Sequence, residues 1–127
     1  EQSGHIIFGR LANTGDGILT AIKVMEAITE TKEPLSVLAS GMTMYPQVLK
    51  NVIVTDKDET LNDEKVKAAV AKAEAELGDN GRVLLRKSGT EPLLRVMSEA
   101  STHELCEEKV DAIIAAMADA GKLVRVK

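Results

Sequence analysis

The run Arg86-Lys87-Ser88-Gly89-Thr90-Glu91-Pro92, with Arg95 shortly after it, concentrates groups that hold anions. The guanidinium groups of Arg86 and Arg95 offer planar, paired N–H donors matched to phosphate oxygens. Ser88 and Thr90 add hydroxyls. Gly89 lets the backbone turn and come close to a ligand, and successive backbone N–H groups in such a loop form an anion-holding concavity. Ser, Gly, Thr and Pro are also ordinary turn residues, so a solvated hairpin turn flanked by two surface arginines fits the same string. A nucleotide-type phosphate loop is excluded, because no G-x-x-x-x-G-K-[ST] occurs.

A second constellation is Glu1-Gln2-Ser3-Gly4-His5. A carboxylate, a hydroxyl and an imidazole two residues apart, beside a glycine, could bracket a sugar's hydroxyls; on the residues alone a disordered or truncated loop is the favoured reading. Metal binding by His5 and Glu1 lacks a third ligand nearby. A third string, Thr14-Gly15-Asp16-Gly17, could bind an anion at a helix start, but structural capping by Asp16 or Thr14 is the favoured reading. His103 reads as an exposed residue in the first turn of a helix. Cys106 reads as core, with no base placed to activate it.

The surrounding pattern supplies the elements that must position these groups. Residues 5–8 form a short apolar run compatible with a strand. Residues 16–29 are helical in pattern, with Ile18, Ile22 and Met25 on one face. Pro34 opens a second, short helix over 35–40, and Gly41 ends it. This stretch predicts the tail of an α/β domain, too small to bury both faces of its elements. A boundary falls near 42–46. Beyond it, 47–54 reads as a strand, 56–61 as a charged loop, and Asn62 as the cap of a helix to about Leu77. Strands follow at 82–86 and 93–99, then a helix from the Ser101-x-x-Glu104 capping box to about Ala120. Residues 122–126 form a last strand or ordered tail. The order β-α-β-β-α predicts an α+β domain: an antiparallel-containing sheet with helices on one face. The expected division is 1–43 and 44–127.

Composition sets limits on partners. The 127 residues carry a formal net charge of −4, with 44% hydrophobic residues but one Phe, one Tyr and no Trp. An aliphatic core follows. A platform for stacking bases does not, and with no basic stripe neither nucleic acid nor an anionic membrane is an expected partner. No apolar run approaches the roughly 20 residues of a transmembrane helix. A single cysteine points to a reducing, cytoplasmic compartment. The start at Glu1, without a lead-in, predicts a cut through a longer chain.

Taken together, the strings at 1–5, 14–17 and 86–93 resemble the C-terminal part of the α-D-phosphohexomutases. The phrase over 81–97 and the boundary string over 40–47 are most similar to the bacterial branch that acts on glucosamine phosphate; the branches acting on glucose or mannose phosphates are the alternative within the family. A stand-alone module binding a phosphorylated ligand is the alternative outside it. The resemblance covers the chain in order. It implies four domains around a cleft and exchange of phosphate between the 1- and 6-positions of a hexose. It also implies a phosphoserine in the first domain and Mg²⁺ on an Asp-rich loop of the second. Residues 1–43 then match the end of the third domain, where Glu1 and Ser3 match the sugar loop and His5 is its third member. Residues 44–127 match the fourth domain, where Arg86, Ser88, Gly89 and Thr90 match the phosphate loop and Arg95 joins them. The implied partners are a hexosamine phosphate substrate and the remaining domains of the parent enzyme. The serine loop, the metal loop and the Gly-Gly preceding Glu1 in the family are not in this sequence. No catalytic residue, metal ligand or cofactor is therefore expected within it, and it is expected to be inactive alone. The apolar remnant at 1–43 is expected to promote self-association.

Overall fold

The computed structural model describes residues 4–127, and the chain forms two compact units that divide between Thr43 and Met44. In the first, helix α1 (Gly17–Thr31) is followed by α2 (Leu35–Leu38) and a 3-10 turn, Ala39–Gly41. Asp16 caps α1: its carboxylate accepts the N–H groups of Ile18 and Leu19, each at 2.9 Å. That satisfies two of the donors a helix start leaves without partners. No residue of α1 is buried, and its apolar face, including Ile18, Ile22 and Met25, is exposed.

Residues 5–8 are irregular rather than a strand. A strand must pair its backbone donors and acceptors with a neighbour, and among the described residues this unit contains no other strand. Apolar character alone therefore does not produce one.

The second unit runs β1 (Gln47–Val54), α3 (Lys57–Asn62), α4 (Glu64–Leu77), β2 (Arg82–Lys87), β3 (Leu94–Glu99), α5 (His103–Asp119) and β4 (Leu123–Val126). The four strands form one sheet in the order β2-β3-β1-β4, and every neighbouring pair is antiparallel. One face carries Val52, Val54, Leu94 and Val96, which pack with Val66, Ala73 and Leu77 of α4 and with Val110, Ile113 and Met117 of α5. The core is aliphatic, as the shortage of aromatics requires. The α+β class and the placement of helices on one face agree with the sequence reading.

Three local expectations are corrected. Residues 57–62 form helix α3 rather than a charged loop. Asp56 caps it, accepting from the Glu59 N–H at 2.8 Å, while Thr60 is buried and bonds back to the Asp56 carbonyl. Since Asn62 thus ends α3, the cap of α4 falls to Asp63, which accepts from Lys65 and Val66. At α5 the cap is Thr102, accepting from Leu105 N–H at 3.2 Å, so Ser101 and Glu104 form no capping box.

Two tertiary contacts brace the sheet. A side chain at Gly81 would place its Cβ 2.4 Å from the Glu99 carbonyl oxygen, so close strand approach demands glycine there. The buried Lys109 ammonium bridges α5 to α4 through Glu76 at 2.6 Å and also meets Glu108 at 2.8 Å. Bonds to Glu108 and Glu76 raise the Lys109 pKa.

Candidate functional site

The anion-binding string falls on the open face and at one end of the sheet. Arg86 stands on β2, directly paired with Arg95 on β3, and Arg95 is directly paired with Asn51 on β1. Directly paired residues of antiparallel strands project from the same face with neighbouring Cβ atoms. One row therefore reads Arg86, Arg95, Asn51 across three strands. Two cationic side chains paired in this way suit a shared anion.

The loop between β2 and β3 leaves this row. Ser88, 4% exposed, shapes it: its N–H donates to Leu93 O at 3.0 Å and its hydroxyl accepts from Glu91 N–H at 3.2 Å. The Lys57 ammonium lies 3.5 Å from Ser88 O and 3.4 Å from Glu91 O, and Lys87 pairs with Asp58. Helix α3 thus holds the loop from the side. The Ser88 hydroxyl serves as an internal staple. Gly89 and Thr90 are exposed at the tip, and their backbone N–H groups make no hydrogen bond among the described residues.

Gly89 has a φ outside the left-handed region, and a Cβ added to it would meet nothing within 4 Å. The fold does not demand glycine at this position, in contrast to Gly81. What glycine adds at the loop tip is room for a ligand against the backbone.

Glu91 is the loop's one carboxylate. It pairs with Lys127, whose own N–H donates to Asn51 O at 2.8 Å. The hydrogen bond from Lys127, its charge and that of Arg95 hold the Glu91 pKa below the ordinary carboxylate value. With Lys127 against it, Glu91 repels an incoming anion less.

In the first unit, His5 lies with Asp16, Gly17 and Thr20 around a shallow hollow at the start of α1. A Cβ on Gly15 would stand 3.0 Å from the His5 ring. Glu1 and Ser3 lie outside the described residues. Asp16 acts as the cap of α1, as the structural reading of residues 14–17 has it.

Sequence reasoning missed Asn51, Lys57 and Lys127. The spacing Asp56-x-x-Glu59 is itself a helix-start signal and could have placed Lys57. Nothing local marks Asn51 or Lys127, because their relevance depends on strand register. Among the described residues no group of three or more His, Cys, Asp or Glu could hold a metal ion. The described residues do not fit a magnesium site. No described helix is long and apolar enough to cross a membrane.

The chain has counterparts among known proteins. Residues 49–116 match the family model of the phosphoglucomutase/phosphomannomutase C-terminal domain, and residues 1–45 match its alpha/beta/alpha domain III. The chain belongs to the phosphoglucomutase/phosphomannomutase family. Among curated relatives it is similar to phosphoglucosamine mutase of Lachnospira eligens, 55% identical over 90% of this chain and 25% of that protein. The enzyme of the same name from Bacillus subtilis (strain 168) is 53% identical, again over 90% of this chain and 25% of the relative. The chain therefore spans about a quarter of the length of the curated relatives it matches.

Among solved structures, an N-acetylglucosamine-phosphate mutase of the α-D-phosphohexomutase superfamily, in its substrate complex, aligns with a TM-score of 0.62. It is 28% identical over 79% of this chain and 20% of that one. N-acetylphosphoglucosamine mutase of Aspergillus fumigatus, in complex with GlcNAc-6P and magnesium, shares the fold at a TM-score of 0.68. Its identity is 22%, over 85% of this chain and 22% of that one.

Proposed function

We propose that this chain supplies the substrate grip of a phosphoglucosamine mutase, which interconverts glucosamine 6-phosphate and glucosamine 1-phosphate for UDP-N-acetylglucosamine and peptidoglycan precursor synthesis. Residues 44–127 act as the fourth, phosphate-binding domain. Residues 1–43 act as the end of the third domain, with Glu1, Ser3 and His5 reading sugar hydroxyls. The observation that carries the reading is the directly paired Arg86 and Arg95, placed beside a loop whose Gly89 and Thr90 N–H groups donate no hydrogen bond among the described residues.

In this reading Arg86 and Arg95 neutralise the phosphate that is not reacting, the N–H groups of Gly89 and Thr90 cap its oxygens, and the Thr90 hydroxyl adds a donor. Ser88 contributes by holding the loop in shape. Such a clamp fixes one end of the sugar phosphate, so that the other end meets the reacting groups in a defined position. The phosphoryl transfer itself falls to a phosphoserine and Mg²⁺ on parts of the parent enzyme outside this sequence. This chain alone is inactive, works in the cytoplasm, has the remaining domains of its parent as partners, and self-associates through the apolar face of residues 1–43 when separated from them.

The test is Arg86→Ala in the full-length enzyme. Loss of a charge-assisted hydrogen bond costs about 2–3 kcal/mol, or roughly 30- to 150-fold in substrate phosphate binding. Unchanged KM and kcat refute the assigned role. Kinetics with competing glucose and mannose phosphates decide the sugar. In this chain, titration with inorganic phosphate should shift the amide resonances of residues 88–90 selectively.

A further inference from the structure

The side-chain oxygen of Asn51 is enclosed and accepts no hydrogen bond from a described residue. Its directly paired neighbour, Arg95, forms no hydrogen bond or ion pair with a described residue, though the Glu91 carboxylate lies within its electrostatic reach. An acceptor without a donor thus stands beside a set of donors without an acceptor. Arg has five N–H donors and no acceptor, so only the carbonyl end of the Asn amide can serve it. A buried unpaired carbonyl is costly, and native structures rarely leave one unmade without a reason.

We propose that Asn51 is a positioning residue of the phosphate clamp. When phosphate is bound, its side-chain carbonyl takes up one N–H of Arg95 and holds that guanidinium in the row with Arg86, leaving the other N–H groups for phosphate. The inference rests on the phosphate-binding reading and deepens it. The backbone around Asn51 is suited to the role. Asn51 sits in β1, an interior strand of the sheet, and its backbone carbonyl accepts the N–H of Lys127 at 2.8 Å. Lys127 in turn pairs with Glu91, the carboxylate that competes with phosphate for Arg95. The side chain thus offers Arg95 a neutral acceptor on the phosphate side, while Lys127 engages the charged one.

The test uses this chain, inorganic phosphate as the probe, and two NMR readouts: the amides of Gly89 and Thr90, and the Nε–H of Arg95. Asn51→Leu keeps the size of the side chain and removes the acceptor. It should weaken phosphate binding about ten-fold, the scale of one net hydrogen bond. In an Arg95→Ala background the same substitution should change nothing further, which a merely structural role would not produce. Asn51→Asp keeps an acceptor and should slow exchange of the Arg95 Nε–H before any phosphate is added.

Wild-type affinity in Asn51→Leu, or an equal loss with and without Arg95, overturns the proposal. Should Asn51→Leu fail to fold, an Arg95 Nε–H indifferent to Asn51→Asp overturns it independently. An unsubstituted chain whose Gly89 and Thr90 amides ignore phosphate overturns the functional reading and this inference with it. Normal phosphate shifts with an indifferent Asn51→Leu overturn the inference alone.

Discussion

The two units use the same helical pattern to opposite effect. Helix α1 carries Ile18, Ile22 and Met25 at helical spacing, yet Ile18 is 77% exposed and no α1 residue is buried. Helix α5 carries Cys106, Val110, Ile113 and Met117 at similar spacing, and each is fully enclosed. The difference lies in what faces the stripe. The second unit brings a four-stranded sheet to α5, whereas the described part of the first contains no strand. An amphipathic pattern specifies which face wants burial; only a partner provides it. The curated relatives are about four times the length of this chain.

The sharpest way to break the comparison is a matched pair of truncations. Ile113→Ala should cost about 2–5 kcal/mol in denaturant unfolding of this chain. Ile22→Ala, on an exposed face, should stay within about 0.5 kcal/mol. Equal costs would mean that α1 has a buried partner after all.

A second pair concerns glycines within the second unit. Gly81→Ala forces a methyl group against the Glu99 carbonyl and should destabilise by about 1–3 kcal/mol, read as a lower Tm. Gly89→Ala meets open space, so Tm should hold within the effect of an ordinary surface change while phosphate-induced amide shifts weaken. A fall in Tm at Gly89→Ala would show that the loop needs this glycine for its own shape.

Caps give a smaller effect. Asp16→Ala and Asp63→Ala each remove a carboxylate that accepts two helix N–H groups, at about 1 kcal/mol apiece. Because α1 lacks core contacts, the loss at Asp16 should appear as local fraying in amide exchange. The loss at Asp63 should lower the unfolding midpoint of the second unit.

Acid gives the smallest effect. Glu76, Glu91 and Glu99, all in the second unit, have pKa values lowered first by hydrogen bonds from Lys109, Lys127 and Gln47 respectively. A carboxyl whose folded value is depressed contributes stability above its ordinary value and loses that contribution as pH falls through the folded one. The Tm of this unit should therefore decline on the acid side of the ordinary carboxylate range. Solvent and salt screen exposed pairs, so high salt should flatten the slope; an acid slope unaffected by salt would exclude these pairs as its source.

How much was legible beforehand follows the same division between local and non-local causes. The β2–loop–β3 hairpin, with Arg86 and Arg95 on either side, is readable because turn residues and alternating strands are local signals. Helix α3 was missed because six polar-rich residues carry little periodicity; it is stabilised by Asp56 at its start and by the burial of Thr60. The caps at Asp63 and Thr102 were each placed one residue early, since neighbouring Asn, Asp, Ser and Thr compete for the role and the chain's path decides. Asn51 could not be singled out, because its place beside Arg95 exists only once β1 and β3 have found their register.

The solitary tyrosine turns the contrast between the units into an optical one. Tyr45, with no tryptophan to outshine it, borders a cleft formed with Asp79, Asn80, Gly81, Arg82 and Glu99. Near-ultraviolet emission of the chain therefore comes almost wholly from the edge of the second unit, while the first is dark. Intrinsic fluorescence follows the loss of the sheet, and far-ultraviolet circular dichroism counts the helices of both. Any gap between the two melting curves measures how far the helices outlive or precede the sheet, without a label attached to either.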